Sequence, residues 1–174
     1  MDRELLEDIV LHLEAVRPQY PAGVGEGALE AGGESPVSYR GPRAPELLML
    51  VAWDGESEAE RGAARELLQA AIRKGLQRGE DEIGVLEAEA GAPDCAESVR
   101  AELELRRPRI AAVLGAAGWA LVGAAAGAGS RSTCAGSSCL LTHALPEMLR
   151  EAEKKRAFWG DLKTIMAELR WRTS

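Results

Sequence analysis

Aromatic side chains are scarce: one Phe, two Tyr and four Trp make up 4% of the 174 residues. A core built from this chain must come mostly from aliphatic side chains and from its many Ala and Gly residues. Cysteine is limited to Cys95, Cys134 and Cys139. An odd count without a secretory leader points to reduced thiols and a cytoplasmic location. Cys134 and Cys139 stand five apart in SRSTCAGSSC with no Cys-rich or His-rich partner segment, which argues against zinc. Neither a metal nor a cofactor is expected. Basic charge is also in deficit, with 21 Lys and Arg against 28 Asp and Glu, a net charge of −7. That argues against a chain whose main role is to coat nucleic acid or an anionic membrane. The opening MDRELLEDIVLHLEAV is acidic and amphipathic, unlike a targeting peptide.

What remains is the composition of an ordinary globular protein, 46% hydrophobic and 28% charged. The length is enough to bury a core without disulfides or metals. Charge is unevenly spread. Residues 1–105 carry 10 basic and 23 acidic side chains, whereas residues 106–174 carry 11 basic and 5 acidic. A polyanion would meet the C-terminal third; the plainer alternative is a set of solvated faces. The stretch Ile110–Ser130 holds no charge and has the length of a membrane span, but it is mostly Ala and Gly, which gain little from lipid. No membrane partner is expected.

Hydrophobic spacing divides the chain into elements. Leu5, Leu6, Ile9, Val10, Leu13 and Val16 have helical spacing over 4–16. Arg17 to Pro45 is dense in Gly, Pro and Ser and reads as an irregular arm. ELLMLVAW (46–53) is a short continuous apolar run, the mark of a buried parallel strand. Residues 61–77 read as a helix, 82–90 as a strand, 95–106 as a helix and 109–115 as a strand. A short small-residue helix follows at 115–125, then a polar loop at 130–138 and a fourth strand at 139–142. Residues 146–171 read as helix in two pieces meeting near Trp159-Gly160.

Strands alternating with helices predict an α/β chain, a three-layer α/β/α sandwich around a four-stranded parallel sheet. The arm would occupy residues 1–45 and the α/β domain residues 46–174. Ligands of such sheets sit beyond the carboxyl ends of the strands, which directs attention to 52–58, 88–94, 115–119 and 142–147. GAAGWALVGAAAG does not present GxGxxG directly after its strand, so its small residues read as close helix–sheet packing rather than a dinucleotide loop.

Three segments carry a resemblance: LLMLVAWDGESE, RRPRIAAVLGAAGWALVG and LLTHALPEMLREAEKKRAFWGDLKTIMAEL. Together they resemble the uracil-DNA glycosylase superfamily, closest to its bacterial and archaeal iron–sulfur branch, over roughly residues 45–174. The second matches an Arg-Pro, apolar strand, Leu-Gly element. The third matches a strand, a catalytic His motif, a Leu-Leu-Arg, a Lys-rich spacer and a Trp-x-Asp-Leu. The resemblance implies an enzyme fold that cleaves the N-glycosidic bond of a flipped-out uracil. Such chemistry uses an acid after the first strand to place water, a stacking aromatic, an Asn-like base reader, and a His after the fourth strand to stabilise the leaving anion.

At the positions that match those motifs, this chain departs from the pattern. The acid position falls on Trp53, with Asp54 one residue late. The reader position falls on Glu87. The His position falls on Ala144, followed by Leu145, with His143 one residue early; a one-residue slip at a strand end turns a side chain to the opposite side. Of four cluster thiolates only Cys95 is present, and the other positions fall near Arg17, Tyr20 and Gly91, so no iron–sulfur cluster is expected.

The resemblance therefore implies a catalytically inactive relative acting as a binding or interaction module. The alternative is a divergent active glycosylase in which Asp54 and His143 do the chemistry; their plainer readings are a turn residue and a packed strand-end His. Trp53, Glu87 and Ala144 would line the rim. Weak, base-independent DNA binding would fall to Arg150, Lys154, Lys155 and Arg156. A protein partner could instead meet the 17–45 arm and the Trp-rich C-terminus.

Overall fold

A computed structural model describes residues 35–125 and 127–171. The helix expected over 4–16 and most of the 17–45 arm lie outside the described residues. The chain is an α/β protein with a six-stranded, mostly parallel sheet and, among the described residues, five α-helices. The strands are β1 (Val37–Arg40), β2 (Leu47–Trp53), β3 (Gly84–Glu89), β4 (Ile110–Leu114), β5 (Arg131–Cys134) and β6 (Ser137–Thr142). The helices are α1 (Glu58–Ala70), α2 (Cys95–Arg106), α3 (Gly115–Leu121), α4 (Leu145–Arg150) and α5 (Ala152–Leu169).

The strand order is β1-β3-β2-β4-β6-β5. The middle four, β3, β2, β4 and β6, run parallel. They coincide with the four strands read from apolar runs. The sheet is nevertheless wider than the four strands expected, because an antiparallel strand is added at each edge. β1 falls inside the stretch read as an irregular arm. Its residues alternate between half-buried and exposed, and Val37 and Tyr39 pack against the core. The Tyr39 hydroxyl donates to the Pro42 carbonyl at 2.5 Å, and the Arg106 guanidinium lies 3.9 Å from its ring centre. β5 and the start of β6 replace the expected polar loop. They close through Ala135-Gly136, where φ of 49° and 79° at two successive residues makes the tight turn a hairpin needs.

Both sides of the central strands are buried, as a parallel sheet requires. On one side Leu48, Leu50, Leu86, Ala111, Val113 and Leu141 form a cluster with Cys95, Val99 and Leu103 of α2, and Trp119 of α3 packs against it. The alternate residues Leu47, Met49, Val51 and Trp53 are equally buried. From that side Arg65 of α1 reaches Glu87 of β3, and the Thr142 hydroxyl of β6 donates to Asp161 of α5 at 2.6 Å.

α1 begins at a capping box. The Ser57 hydroxyl accepts from the Glu60 backbone N–H, and the Glu60 carboxylate accepts from the Ser57 N–H. The helix continues into a π-helical turn over Ala71–Gly75. Gly75 is required there because a Cβ would run into the Trp159 ring. The C-terminal helix pair is divided at Glu151, whose backbone is extended (φ −128°, ψ 108°), and not near Trp159-Gly160. Gly160 is carried through inside α5, whose residue Trp159 is seated on Gly75.

Candidate functional site

The carboxyl ends of the parallel strands bring together Trp53, Glu89, Leu114 and Thr142 with the turns that follow them. β2 ends at Trp53, and Asp54-Gly55 turns the chain toward α1 through a left-handed glycine (φ 86°). The Asp54 N–H donates to Glu56 at 2.6 Å. The Asp54 side chain is exposed, and its carboxylate makes no hydrogen bond among the described residues.

Trp53 is 2% exposed. Its Nε1–H donates to Glu87 Oε2 at 2.9 Å. Arg65 donates to the same oxygen from Nε (3.0 Å) and from Nη2 (2.9 Å), and Arg40 of the edge strand stands 3.3 Å from Glu87 Oε1. One turn back on α1, Arg61 makes a two-pronged ion pair with Glu89. Both guanidiniums lie over the Trp53 ring, 5.4 Å and 5.5 Å from its centre. Burial by itself would raise the Glu87 carboxyl. The hydrogen bonds from Arg65 and Trp53 and the charges of Arg65 and Arg40 outweigh it and hold the pKa below the ordinary Glu value.

The three arginines were missed by sequence reasoning, but a signal for two of them exists. Positions four apart on a helix rise about 6.0 Å, and positions two apart on a strand rise about 6.6 Å. Arg61 and Arg65 on α1 therefore match Glu87 and Glu89 on β3 as the rungs of a ladder, in crossed order because the helix runs against its neighbouring strand. An open cleft of about 290 Å³ lies beside this ladder, between Ser35, Pro36, Ser38 and Arg40 on one side and Arg65, Glu87 and Glu89 on the other.

The β4 and β6 ends are closed by packing. Gly115 follows β4 with φ 81°, and a Cβ there would stand 2.6 Å from the Ala144 Cβ. Ala144 therefore lies directly against Gly115, at the point where the chain leaves β4. Trp119 Nε1–H lies 3.1 Å from the carbonyls of both Val113 and Thr142, tying β4 to β6. His143 stands with Nδ1 3.7 Å from Glu147 Oε2. No hydrogen bond or ion pair among the described residues joins it to Asp54.

Two of the four basic residues are engaged in ion pairs. Arg150 pairs with Glu60 at 2.8 Å, and Lys154 pairs with Glu147 (3.3 Å) and Glu151 (3.0 Å). Lys155 and Arg156 make no ion pair among the described residues. The structure thus brings Trp53 to Glu87 and Ala144 to Gly115, while Asp54, His143 and the basic group each keep separate company. Among the described residues no group of three or more His, Cys, Asp or Glu side chains is placed to hold a metal ion. No helix among them is long and apolar enough to cross a membrane, and the uncharged stretch from Ile110 begins with the strand Ile110–Leu114 and the short helix Gly115–Leu121. No protein-family description matches the chain, and no curated protein matches it.

Proposed function

We propose that this chain is a catalytically silent relative of the uracil-DNA glycosylase superfamily, a three-layer α/β/α sandwich retained as a binding or interaction module. Four parallel strands with helices between them support the scaffold part of that reading. The observation that carries the functional part is the bond between Trp53 and Glu87. The side chain at the resembled acid position donates to the side chain at the base-reading position, and Arg65 saturates the same carboxylate. A base edge needs free donors and acceptors, and these groups are already satisfied by one another. Ala144, packed on Gly115, supplies no group to stabilise a leaving anion.

The test is to incubate the pure chain with single- and double-stranded DNA containing uracil and to score abasic sites by alkaline strand cleavage. No cleavage above the protein-free control is expected. Abasic-site formation that disappears in both Asp54→Asn and His143→Ala would overturn the proposal and establish the divergent enzyme.

A further inference from the structure

The charges of α5 are segregated around its axis. Its buried face is carried by Phe158, Leu162, Ile165, Met166 and Leu169. On one flank of that face Asp161 accepts from Thr142, Glu168 pairs with Arg131, and Lys154 pairs with Glu147 and Glu151. The third acid of the helix, Glu153, sits in its first turn. The opposite flank holds cations without an acid. At about 100° per residue, Lys155, Trp159, Arg170, Lys163 and Arg156 follow one another around it. Arg156, Lys163 and the capping residue Arg170 recur at two-turn spacing, a row about 21 Å long. Arg156 and Arg170 are exposed, and Lys155 and Lys163 half-buried. None of the four makes an ion pair among the described residues; the Lys163 ammonium lies 5.9 Å from the Trp159 ring centre. Because Trp159 is seated on Gly75, the exposed Lys74 of the π-helical turn adjoins the row.

We propose that this flank of α5 docks the phosphate backbone of a nucleic acid duplex, without regard to base sequence. The proposal rests on the reading of the chain as a binding module and assigns that module a surface and a partner. The charge pattern carries it. Acids outnumber bases in this chain, 28 to 21. Nearby cations are accordingly paired: Arg73 with Glu80, Arg78 with Glu82 and Arg150 with Glu60. The row on α5 is left without carboxylates, so its members repel one another until a polyanion neutralises them. With a net charge of −7, the rest of the surface works against such contact, which directs a polyanion to this flank.

The flank favours nucleic acid over the other polyanions. An anionic membrane is held by a basic helix that also inserts apolar side chains. Here Met166 is buried and Trp159 is spent on Gly75, and the exposed Leu105 and Leu149 belong to other helices. An acidic protein surface binds around a desolvated aromatic or aliphatic centre, and the row contains no exposed apolar residue to provide one. Phosphate contacts need no such centre, since release of condensed counterions supplies the affinity. A duplex carries one charge per about 1.7 Å of axis, on the order of 12 along a 21 Å row, so four cations find partners in any register.

The full chain is titrated into a fluorescently labelled DNA duplex without uracil, and anisotropy is followed over a series of salt concentrations. Four phosphate contacts should give a slope of log affinity against log salt of about −4. Arg156→Gln and Arg170→Gln should each reduce the slope by about 1 and weaken binding about five- to tenfold at moderate salt. Arg100→Gln should change neither, because this exposed cation, also without an ion pair, lies on α2 across the sheet. No binding at low salt overturns the proposal. Equal losses in Arg100→Gln and Arg156→Gln overturn it too, since the attraction would then be one of overall charge. Polyglutamate or phosphatidylserine vesicles that compete as well as unlabelled duplex, at equal charge concentration, would show the partner to be wrong. The wild-type slope and the competition stand whether or not a variant folds. The absence of uracil keeps this test apart from the glycosylase assay: excision activity would overturn the silent reading alone, and absent binding would overturn this surface alone.

Discussion

Trp53 and Glu87 are 34 residues apart in the chain and 2.9 Å apart in the fold, the indole N–H of one donating to the carboxylate of the other. Around this bond the strand-end rim is occupied from within. Arg65 and Arg40 neutralise the carboxylate, and Arg61 and Arg65 lie over the indole.

Glu87→Gln should destabilise the chain by about 2 kcal/mol, because it leaves the Arg65 charge and one indole donor poorly paired in a half-buried setting. The sign of the pH effect follows from the depressed Glu87 pKa. Between the lower folded value and the ordinary Glu value near 4.3, the unfolded chain binds more protons. The stabilisation is therefore complete above the ordinary value and lost as pH falls through the folded one. Urea denaturation across that acid range should show a steeper loss of stability in the wild type than in Glu87→Gln; parallel curves would show that the carboxylate is not held.

Gly115→Ala meets two obstacles at one site. Its φ of 81° disfavours any L side chain, and the new Cβ would press on Ala144 at 2.6 Å. A loss of about 2–4 kcal/mol is expected, read as a lowered urea midpoint. An unchanged midpoint would show that the β4 and β6 ends are not closed by this contact.

Val113 is fully buried in β4, between β2 and β6. Val113→Asp should prevent folding, since an unpaired buried charge costs several kcal/mol, on the order of a domain's whole stability. A soluble mutant with cooperative unfolding would contradict the central position of this strand.

Free uracil should show no saturable binding by calorimetry up to millimolar concentration. Unpaired amide groups in a buried site cost about 1–3 kcal/mol each, and millimolar affinity corresponds to only about 4 kcal/mol. Any DNA affinity should be insensitive to uracil against thymine and should fall steeply with salt. Lys155→Ala and Arg156→Ala should weaken it more than Arg150→Ala or Lys154→Ala, because the latter two cations are already paired with Glu60, Glu147 and Glu151. A preference for uracil at moderate salt would restore the rim as a reading site.

The alternation of strand and helix was legible in the sequence because element type is encoded locally. Leu47–Trp53 and Ile110–Leu114 are continuous apolar runs that only a strand buried on both sides accommodates. The apolar face of α1, carried by Ala64, Leu67 and Leu68, has helical spacing. The edge strands were not legible. Val37–Arg40 and Arg131–Cys134 are four residues each and half exposed, too short and too polar to announce themselves, and they are strands because β3 and β6 offer them unpaired backbone groups. The partners of Glu87 were decided only by tertiary structure as well. Sequence shows a charge and its spacing, but which cation meets which carboxylate depends on the crossing of α1 over β3, set by burial of the apolar residues around them.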